Sequence, residues 1–297
     1  MAGAEKLTAQ QAAALEVVVT HYRTPRLLEQ CLARLAEQLP GVPVTVVDAD
    51  SGDGTVAWLR REYPWVRALA TRNHSMAGAV NTGLKHTERP YVLQMNADVF
   101  LAPGTVPKLL AALGPKGVGM VGPRCRTPAG RWQVQGLLYR RHQLRVALRG
   151  RAAVGWLSGC CTLVKREALQ AVGGLDGSLR FYNEDIDWCY RLRAAGYACL
   201  LIDAPVTHVG GASTPREPRF VLEGLRGGMQ LSRRFRAPAY RALHRFSVLA
   251  YARLARPFAT PAKRRFLEML ERLFAERRFD ESPFGATLGE DNPRFGA

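Results

Sequence analysis

Short apolar runs alternate with amphipathic segments over the first hundred residues. The runs are rich in valine or leucine and too short for helices, which is typical of buried strands; they cover 16–20, 42–47, 66–70 and 91–95. Between them, apolar residues recur every three or four positions, which predicts helices over 26–38, 55–63 and 73–85. Strands and helices that alternate in this way predict an α/β fold, a mostly parallel sheet with helices on both faces.

The pattern loosens after residue 100. Apolar runs predict strands over 118–122, 156–164 and 197–202, and helical periodicity predicts helices over 105–113, 166–172 and 184–195. A long connection, rich in glycine, proline and arginine, covers 123–151, and such loops are commonly functional or disordered. From about residue 216 the chain becomes basic, with 17 Lys/Arg against 9 Asp/Glu, and two amphipathic helices are predicted over 237–256 and 261–278.

Acidic and amide side chains follow the predicted strands at the point where each strand ends. Asp48 closes the second strand, and Asn96 and Asp98 follow the fourth. Open α/β sheets bind ligands at the carboxyl ends of their strands, and carboxylate oxygens suit a hard divalent cation that holds phosphates. The alternative for each of these residues is an Asx turn that ends the strand.

Composition and charge narrow the class of protein. A net charge of +17 over 297 residues favours anionic partners, which include nucleic acid, an anionic membrane face and a phosphorylated substrate. The six cysteines form no CxxC pair, so buried thiols in a reducing cytoplasm are expected. The first residues lack the pattern of a signal peptide and no run is long enough to span a membrane, which predicts a soluble or peripheral protein.

Eight motifs, in order, resemble those of the family 2 glycosyltransferases of the GT-A fold, and in particular the bacterial rhamnosyltransferase-like branch that extends polysaccharides. The resemblance covers about residues 16–213. It is carried by VVVTHY at 17–22, VVDADSGDGT at 46–55, NHSMAGAVNTG at 73–83, MNAD at 95–98, VGP at 121–123, LSGCCTLVKRE at 157–167, NEDIDWCYRLRAAG at 183–196 and HVGGAS at 208–213. Each motif is weak alone, and their order makes them strong.

The resemblance implies a domain organisation. A GT-A catalytic domain is expected over 1–215, with a nucleotide-binding half at about 16–100 and an acceptor half at about 101–215. A basic, helical extension is expected over 216–297. The Gln-x-x-Arg-Trp motif of processive synthases is absent, which favours non-processive transfer.

The family resemblance also implies which residues bind the nucleotide sugar. Thr20 and Tyr22 are expected beside the base, with Asp48 accepting the imide N–H of uracil or thymine. The further expected contacts, to ribose, diphosphate or sugar, are Asp50, Arg72, Asn73, Met76, Asn81 and Asn96. For several of them, helix capping or loop order is the alternative. Ala49, Ser75 and Met76 depart from the family pattern, so the donor sugar stays open.

A divalent metal, Mg²⁺ or Mn²⁺, is implied because the leaving diphosphate carries at least two negative charges. Asp98 is expected to be a direct ligand. His208 is expected to reach the metal or the diphosphate, and a buried, hydrogen-bonded histidine is the alternative.

Catalysis is expected at the acid-rich start of the helix over 184–195. The resemblance points to Asp185 as the base that takes the acceptor proton, with Glu184 orienting it or binding the acceptor, and a single displacement implies inversion. Acids that cap a helix are the alternative, and Asp187 is expected to be structural. Trp156, Tyr182 and Trp188 are candidates to stack on the acceptor sugar, with core packing as the alternative.

The expected partners are a nucleotide-diphosphate sugar and a glycan or lipid-linked acceptor. The basic helices after 216 are expected to contact an anionic membrane face, which predicts a cytoplasmic protein, peripheral on the inner face of the cell membrane. A solvated helical cap is the alternative. A nucleic-acid-binding protein is disfavoured because no recognition motif is present, and a dehydrogenase because GxGxxG is absent. A catalytically inactive family member that binds nucleotide sugar, membrane or partner is the remaining alternative.

Overall fold

The computed structural model describes residues 6–72, 75–133, 137–211 and 217–285. Their strands are β1 Leu15–His21, β2 Val44–Asp48, β3 Val66–Ala70, β4 Tyr91–Asn96, β5 Val99–Leu101, β6 Val118–Arg126, β7 Arg151–Ala153, β8 Cys161–Lys165 and β9 Ala198–His208. Their helices are α1 Ala9–Ala13, α2 Pro25–Gln38, α3 Thr55–Glu62, α4 Met76–Leu84, α5 Thr105–Leu113, α6 Leu137–Arg149, α7 Arg166–Val172, α8 Glu184–Ala194, α9 Pro218–Phe235, α10 Pro238–Ala255 and α11 Pro261–Ala275.

One sheet joins the described strands in the order β3-β2-β1-β4-β8-β6-β9-β5, with β7 beside β9. The first four strands are parallel, as their continuous apolar runs predict. β8 then enters antiparallel to β4 and β6. The carboxyl ends of β1, β2 and β4 therefore lie at one edge, and this is where an open α/β sheet binds its ligand.

Helices cover both faces of the sheet, and each face has its own apolar core. α2 and α5 pack on one face around Leu32, Leu93 and Leu109. α4 and α8 pack on the other face around Val18 and Trp188. The predicted α/β fold is confirmed.

α4 lies close to the sheet because it carries glycine at position 83. A Cβ at Gly83 would stand 2.3 Å from Val18 Cγ1 in β1 and 3.1 Å from Val47 Cγ2 in β2. Any side chain there would force helix and sheet apart, which typically costs about 1–3 kcal/mol. This close approach sets the helix that begins with Met76 directly above the ends of β1 and β4.

The second half of the chain differs from its predicted elements in several places, and the short strands β5 and β7 are among the elements that were not predicted. The connection expected over 123–151 contains α6, which the pattern concealed because two of its leucines face solvent and its polar positions are mainly arginine. The strand expected from residue 156 begins only at Cys161, and two residues earlier the Gly159 N–H bonds to Asp185 in α8. α9 was not predicted at all.

α9, α10 and α11 share a third apolar core after residue 217. It is formed mainly by Leu222, Met229, Ala252, Leu267 and Phe274. Among the described residues, no helix combines the length and the apolar character that crossing a bilayer requires.

Candidate active site

Three residues expected at the donor meet where β1 and β4 end. Thr20 and Asn96 are partners in the parallel register of these strands, and Thr20 Oγ1 donates a hydrogen bond to Asn96 Oδ1 at 3.1 Å. The sulfur of Met76, in the first turn of α4, lies 3.7 Å from the same hydroxyl. The sheet therefore brings together side chains from segments 56 and 76 residues apart in sequence.

Asp48, at the end of β2, is held by a buried polar cluster. His21 Nε2 accepts the backbone N–H of Thr24 at 3.0 Å, so its other nitrogen, Nδ1, donates to Asp48 Oδ1 at 2.9 Å. The Ser51 hydroxyl bonds to Oδ1 and the Ser51 N–H to Oδ2. Burial alone would raise the pKa of Asp48, but these hydrogen bonds outweigh it and hold the pKa below its usual value. A carboxylate accepts about four hydrogen bonds. Asp48 already accepts three, so it can accept one more from a ligand.

The other residues expected at the donor differ in their surroundings. Tyr22 is half-buried beneath the guanidinium of Arg23, and Asp50 and Arg72 are exposed. Both ends of the Asn81 amide bond to the backbone of Leu175, at 2.8 and 2.9 Å, so Asn81 ties α4 to the loop after α7. Its contact with the donor stays a prediction. Asn73 lies outside the described residues.

Asp98 and His208 are adjacent, as expected, although 110 residues separate them in sequence. β5 pairs antiparallel with the end of β9, which sets Val99 opposite His208. Asp98 Oδ1 lies 3.5 Å from His208 Nε2, and Asp98 Oδ2 accepts the N–H of Gly210 at 3.0 Å. Asp98 is thereby buried at the turn between β4 and β5, next to Asn96.

Gln133 orients His208, and no sequence signal pointed to it because it lies in the long connection, outside any motif. His208 Nδ1 lies 2.8 Å from Gln133 Oε1, and the Gln133 amide nitrogen donates to the His208 carbonyl at 2.9 Å. Burial lowers the pKa of His208, but hydrogen bonds with Asp98 and Cys160 outweigh it and raise the pKa to about 10. Because Gln133 bonds to Nδ1 of His208, Nε2 is the nitrogen that faces Asp98.

The residues at this corner suit a metal that also binds a diphosphate. Within the described ranges, no three histidine, cysteine or acidic side chains form a cluster that could hold a metal alone. Asp98 and His208 instead offer one oxygen and one nitrogen, and Mg²⁺ in phosphate sites commonly takes one or two carboxylates plus phosphate oxygens and water. A metal here would displace the proton of His208.

Two acids begin α8, and neither forms an ion pair among the described residues. Asp185 Oδ2 accepts the N–H of Gly159 at 2.9 Å and Oδ1 accepts the N–H of Ile186 at 2.8 Å. Burial raises the pKa of Asp185 to about 6 despite these bonds. Glu184 is buried, with Oε2 unbonded among the described residues. Burial first, and then the charge of Asp185, raise the pKa of Glu184 well above its usual value.

A short turn before β8, formed by Gly159 and Cys160, connects Asn96, beside Asp98 and His208, to these two acids. The Cys160 carbonyl accepts the N–H of Asn96 at 2.9 Å, and the preceding residue, Gly159, bonds to Asp185. The Cys160 sulfur lies 3.5 Å from that of Cys125 and also contacts His208. A Cβ on Gly159 would stand 3.1 Å from Asp185 Cβ, which explains the glycine. The signal for this turn was the LSGCC motif, whose individual roles the sequence did not assign.

The three aromatic residues expected at the acceptor behave differently. Tyr182 is 49% exposed beside Glu184 and remains a candidate for stacking on a sugar. Trp156 is partly buried against the core. Trp188 is only 2% exposed, and its Nε1 donates to the Gly173 carbonyl at 3.0 Å. The expected sugar contact of Trp188 is thus corrected to a packing role, because its ring faces the core.

Comparisons with known proteins agree with this geometry. A family model described as glycosyl transferase family 2 matches residues 16–173. The chain is similar to an N-acetylglucosaminyl-diphospho-decaprenol L-rhamnosyltransferase of Mycobacterium tuberculosis, with 32% identity over 243 residues, 69% of this chain and 78% of that relative.

Two solved structures share the fold. One is a mannosyltransferase, PcManGT, from Pyrobaculum calidifontis in complex with GDP-Man and Mn²⁺, with a TM-score of 0.57, 22% identity, and coverage of 89% of this chain and 75% of that one. The other is GalNAc-T7 with UDP, GalNAc and Mn²⁺, with a TM-score of 0.61, 12% identity, and coverage of 94% and 61%. The expected GT-A fold is confirmed.

The raised pKa of Asp185 predicts how stability depends on pH. The folded protein holds this proton more tightly than the unfolded chain, so the stabilisation is complete below about pH 4 and is lost as pH rises through about 6. We expect Asp185→Asn to gain stability relative to wild type between pH 4 and pH 8, by up to about 3 kcal/mol. Urea denaturation at both pH values measures this difference. The exposed Asp280→Asn is the control, and an equal response of both variants would contradict the prediction.

Proposed function

Because the chain belongs to glycosyl transferase family 2, we propose that this glycosyltransferase moves a sugar from a nucleotide-diphosphate sugar to a hydroxyl of a lipid-linked glycan, with inversion. The observation that carries the proposal is the turn at Gly159 and Cys160, which bonds to Asn96 on one side and to Asp185 on the other. This turn connects the Asp98–His208 pair, which suits a metal-bound diphosphate, to Asp185, which suits a base for the acceptor hydroxyl. A single displacement requires both groups at one site.

The donor is proposed to lie across the carboxyl ends of β1, β2 and β4. Asp48 has one acceptor direction left for the imide N–H of uracil or thymine, and Thr20 and Asn96 line the path toward the diphosphate. The name of the mycobacterial relative describes transfer of L-rhamnose to a decaprenol-diphosphate N-acetylglucosamine. A nucleotide-diphosphate rhamnose and a polyprenyl-diphosphate sugar are therefore our first candidates for donor and acceptor.

Asp98 and His208 are proposed to hold Mg²⁺ or Mn²⁺. The bound ion would neutralise charge on the departing diphosphate. Gln133 fixes the ring of His208 through Nδ1 and leaves Nε2 directed at Asp98. A hydrogen-bond partner of this kind typically raises metal affinity because it orients the ligating histidine.

Asp185 is proposed to take the proton of the attacking hydroxyl. With a pKa of about 6, it is ionised at neutral pH yet basic enough to accept that proton as the new glycosidic bond forms. Glu184, whose pKa burial also raises, is proposed to donate a hydrogen bond to the acceptor. Attack from the face opposite the diphosphate inverts the anomeric carbon.

The helices after residue 217 are proposed to rest on the anionic inner face of the cell membrane, where a lipid-linked acceptor resides. α10 exposes an apolar stripe, defined by Tyr240, Leu243, Phe246, Tyr251 and Leu254, whose side chains are 50 to 73% exposed. An exposed apolar row on a basic helix is typical of an interfacial segment. The excess of Lys/Arg over Asp/Glu beyond residue 216 complements anionic lipid, whereas a second copy would bring like charges together.

We expect one nucleoside diphosphate to raise the melting temperature in a metal-dependent way. The panel is UDP, dTDP, GDP and CDP, each with and without Mn²⁺. A ligand at a hundredfold of its Kd stabilises by about 2.7 kcal/mol, and Asp98→Ala should remove the metal-dependent part. The matched control is Asp280→Ala, which removes an exposed acid outside the sheet domain. Stabilisation by none of the four with wild type would contradict the donor site.

A transfer assay distinguishes the roles of Asp185 and Glu184. Its donor is a sugar that carries the nucleoside diphosphate identified by that panel. Asp185→Asn should lower the rate by about 10²–10⁴-fold, the usual contribution of a general base, while donor binding persists. Glu184→Gln should cost less than about tenfold, because glutamine resembles the neutral acid. The opposite ranking would make Glu184 the base. Donor binding without transfer by wild type would favour an inactive, binding-only family member.

Membrane contact is measured by co-sedimentation with vesicles of phosphatidylglycerol and phosphatidylcholine. We expect binding that requires phosphatidylglycerol and falls about tenfold or more in Leu243→Ser/Leu254→Ser, since burying each leucine contributes about 1.5–3 kcal/mol. The matched control is Leu144→Ser/Leu148→Ser on α6, whose leucines are 62% and 75% exposed. Loss in the control pair alone, or dissociation of a dimer by the α10 pair, would contradict the proposal.

A further inference from the structure

The two residues before the catalytic helix have an unfavourable backbone. Tyr182 and Asn183 both adopt the left-handed region, with φ of 68° and 71°. Each non-glycine residue in this region typically costs about 1 kcal/mol or more. Contacts elsewhere must therefore hold the segment that leads into Glu184 and Asp185.

α9 supplies hydrogen bonds to this segment. Asn183 precedes α8 without capping it through its side chain, and its Nδ2 instead donates to the Gly224 carbonyl at 2.8 Å. Glu223 Oε1 accepts the N–H of Arg180 at 3.0 Å. Arg226 Nη2 donates to the Ser178 carbonyl at 2.5 Å.

These contacts rest on a buried ion pair. Glu223 and Arg226 are 0% and 1% exposed, and the Arg226 Nε donates to Glu223 Oε2 at 2.8 Å. Arg226 Nη1 also donates to the Phe279 carbonyl at 2.8 Å. An ion pair this deeply buried loses its hydration, so every remaining donor and acceptor needs a partner. The backbone of the loop over 178–183 supplies two of these partners, which makes it one unit with α9.

Glycine in α9 allows the close approach. A Cβ at Gly227 would stand 2.7 Å from Asn183 Nδ2 and 3.2 Å from Leu179 Cδ2. A Cβ at Gly224 would lie 3.4 Å from the Tyr182 ring. The neighbouring Gly228 differs, because a Cβ there would meet only His244 Cε1, at 3.9 Å.

We infer that α9 is part of the catalytic apparatus, with Glu223, Gly224, Arg226 and Gly227 as positioning residues for Asp185. They hold Tyr182 and Asn183, the left-handed pair that precedes α8. The first turn of α8 then carries the Asp185 carboxylate, which accepts the N–H of Gly159. The inference rests on the proposed role of Asp185 as the base. It gives the basic C-terminal region a task in the reaction itself, apart from any contact with a membrane.

The test compares Gly227→Ala with Gly228→Ala. Both changes place alanine in the interior of the same helix, so both gain the same helical preference. We expect Gly227→Ala to lower kcat about tenfold or more, with the donor KM and nucleoside diphosphate binding changed less than twofold. Gly228→Ala should keep the wild-type kcat. Equal kcat in both variants, or a parallel loss of donor binding in Gly227→Ala, would overturn the inference.

Two further readouts separate positioning from general damage. The double variant Gly227→Ala/Asn183→Gly should recover most of the lost kcat, because it removes the clashing amide and places glycine where φ is positive. The acid limb of the pH–kcat profile should move away from about pH 6 in Gly227→Ala and stay there in Gly228→Ala. An unchanged acid limb together with no recovery would overturn the inference.

Hydrogen exchange tests whether α9 holds the loop over 178–183 and needs no activity measurement. The amides of residues 178–187 should lose protection in Gly227→Ala and keep it in Gly228→Ala. If wild type transfers no sugar at all, the proposed function fails while this measurement still reports whether α9 holds the loop. Unchanged protection in both variants would overturn the inference.

Discussion

The hydrogen bond from the Asn96 N–H to the Cys160 carbonyl extends the pairing of β4 with β8 beyond the strand ends. β4 belongs to the parallel half of the sheet and β8 enters antiparallel, so this bond joins the two halves at the edge where ligands bind. The turn that supplies the carbonyl also supplies the Gly159 N–H to Asp185. If this pairing shifted by one residue, the side chains of β8 would change faces and Asp185 would lose its donor. The spacing between Asn96 and Asp185 thus depends on strand register.

Charge is distributed unevenly among the acids of the site. Asp48 and Asp98 each face a histidine, and we propose binding roles for both. Among the described residues Asp185 and Glu184 have no such partner, and burial raises both of their pKa values. Acids whose environments differ in this way commonly divide binding from proton transfer.

Local patterns in the sequence were sufficient for the first half of the fold. β1 to β4 came from apolar runs, and Asp98 and His208, which the ordered motifs assigned to one site, lie 3.5 Å apart. Gln133 and α9 were missed for a different reason, since their importance lies in contacts 75 and 41 residues away that leave no local mark. Trp188 shows the reverse case. It stands in a functional motif, yet its ring packs in the core, whereas Asp185, about one helical turn earlier, accepts the N–H of Gly159.

The most direct test of the account is a crystal structure with Mn²⁺ and the nucleoside diphosphate that stabilises the protein most. The anomalous signal of manganese should lie between Asp98 and His208, with the diphosphate beside it and the base at Asp48. Asp185 should then face the open side of the metal across the turn at Gly159. Manganese or nucleotide bound away from Asp98, for example among the arginines of α9 to α11, would contradict the assignment of this edge of the sheet as the site of transfer.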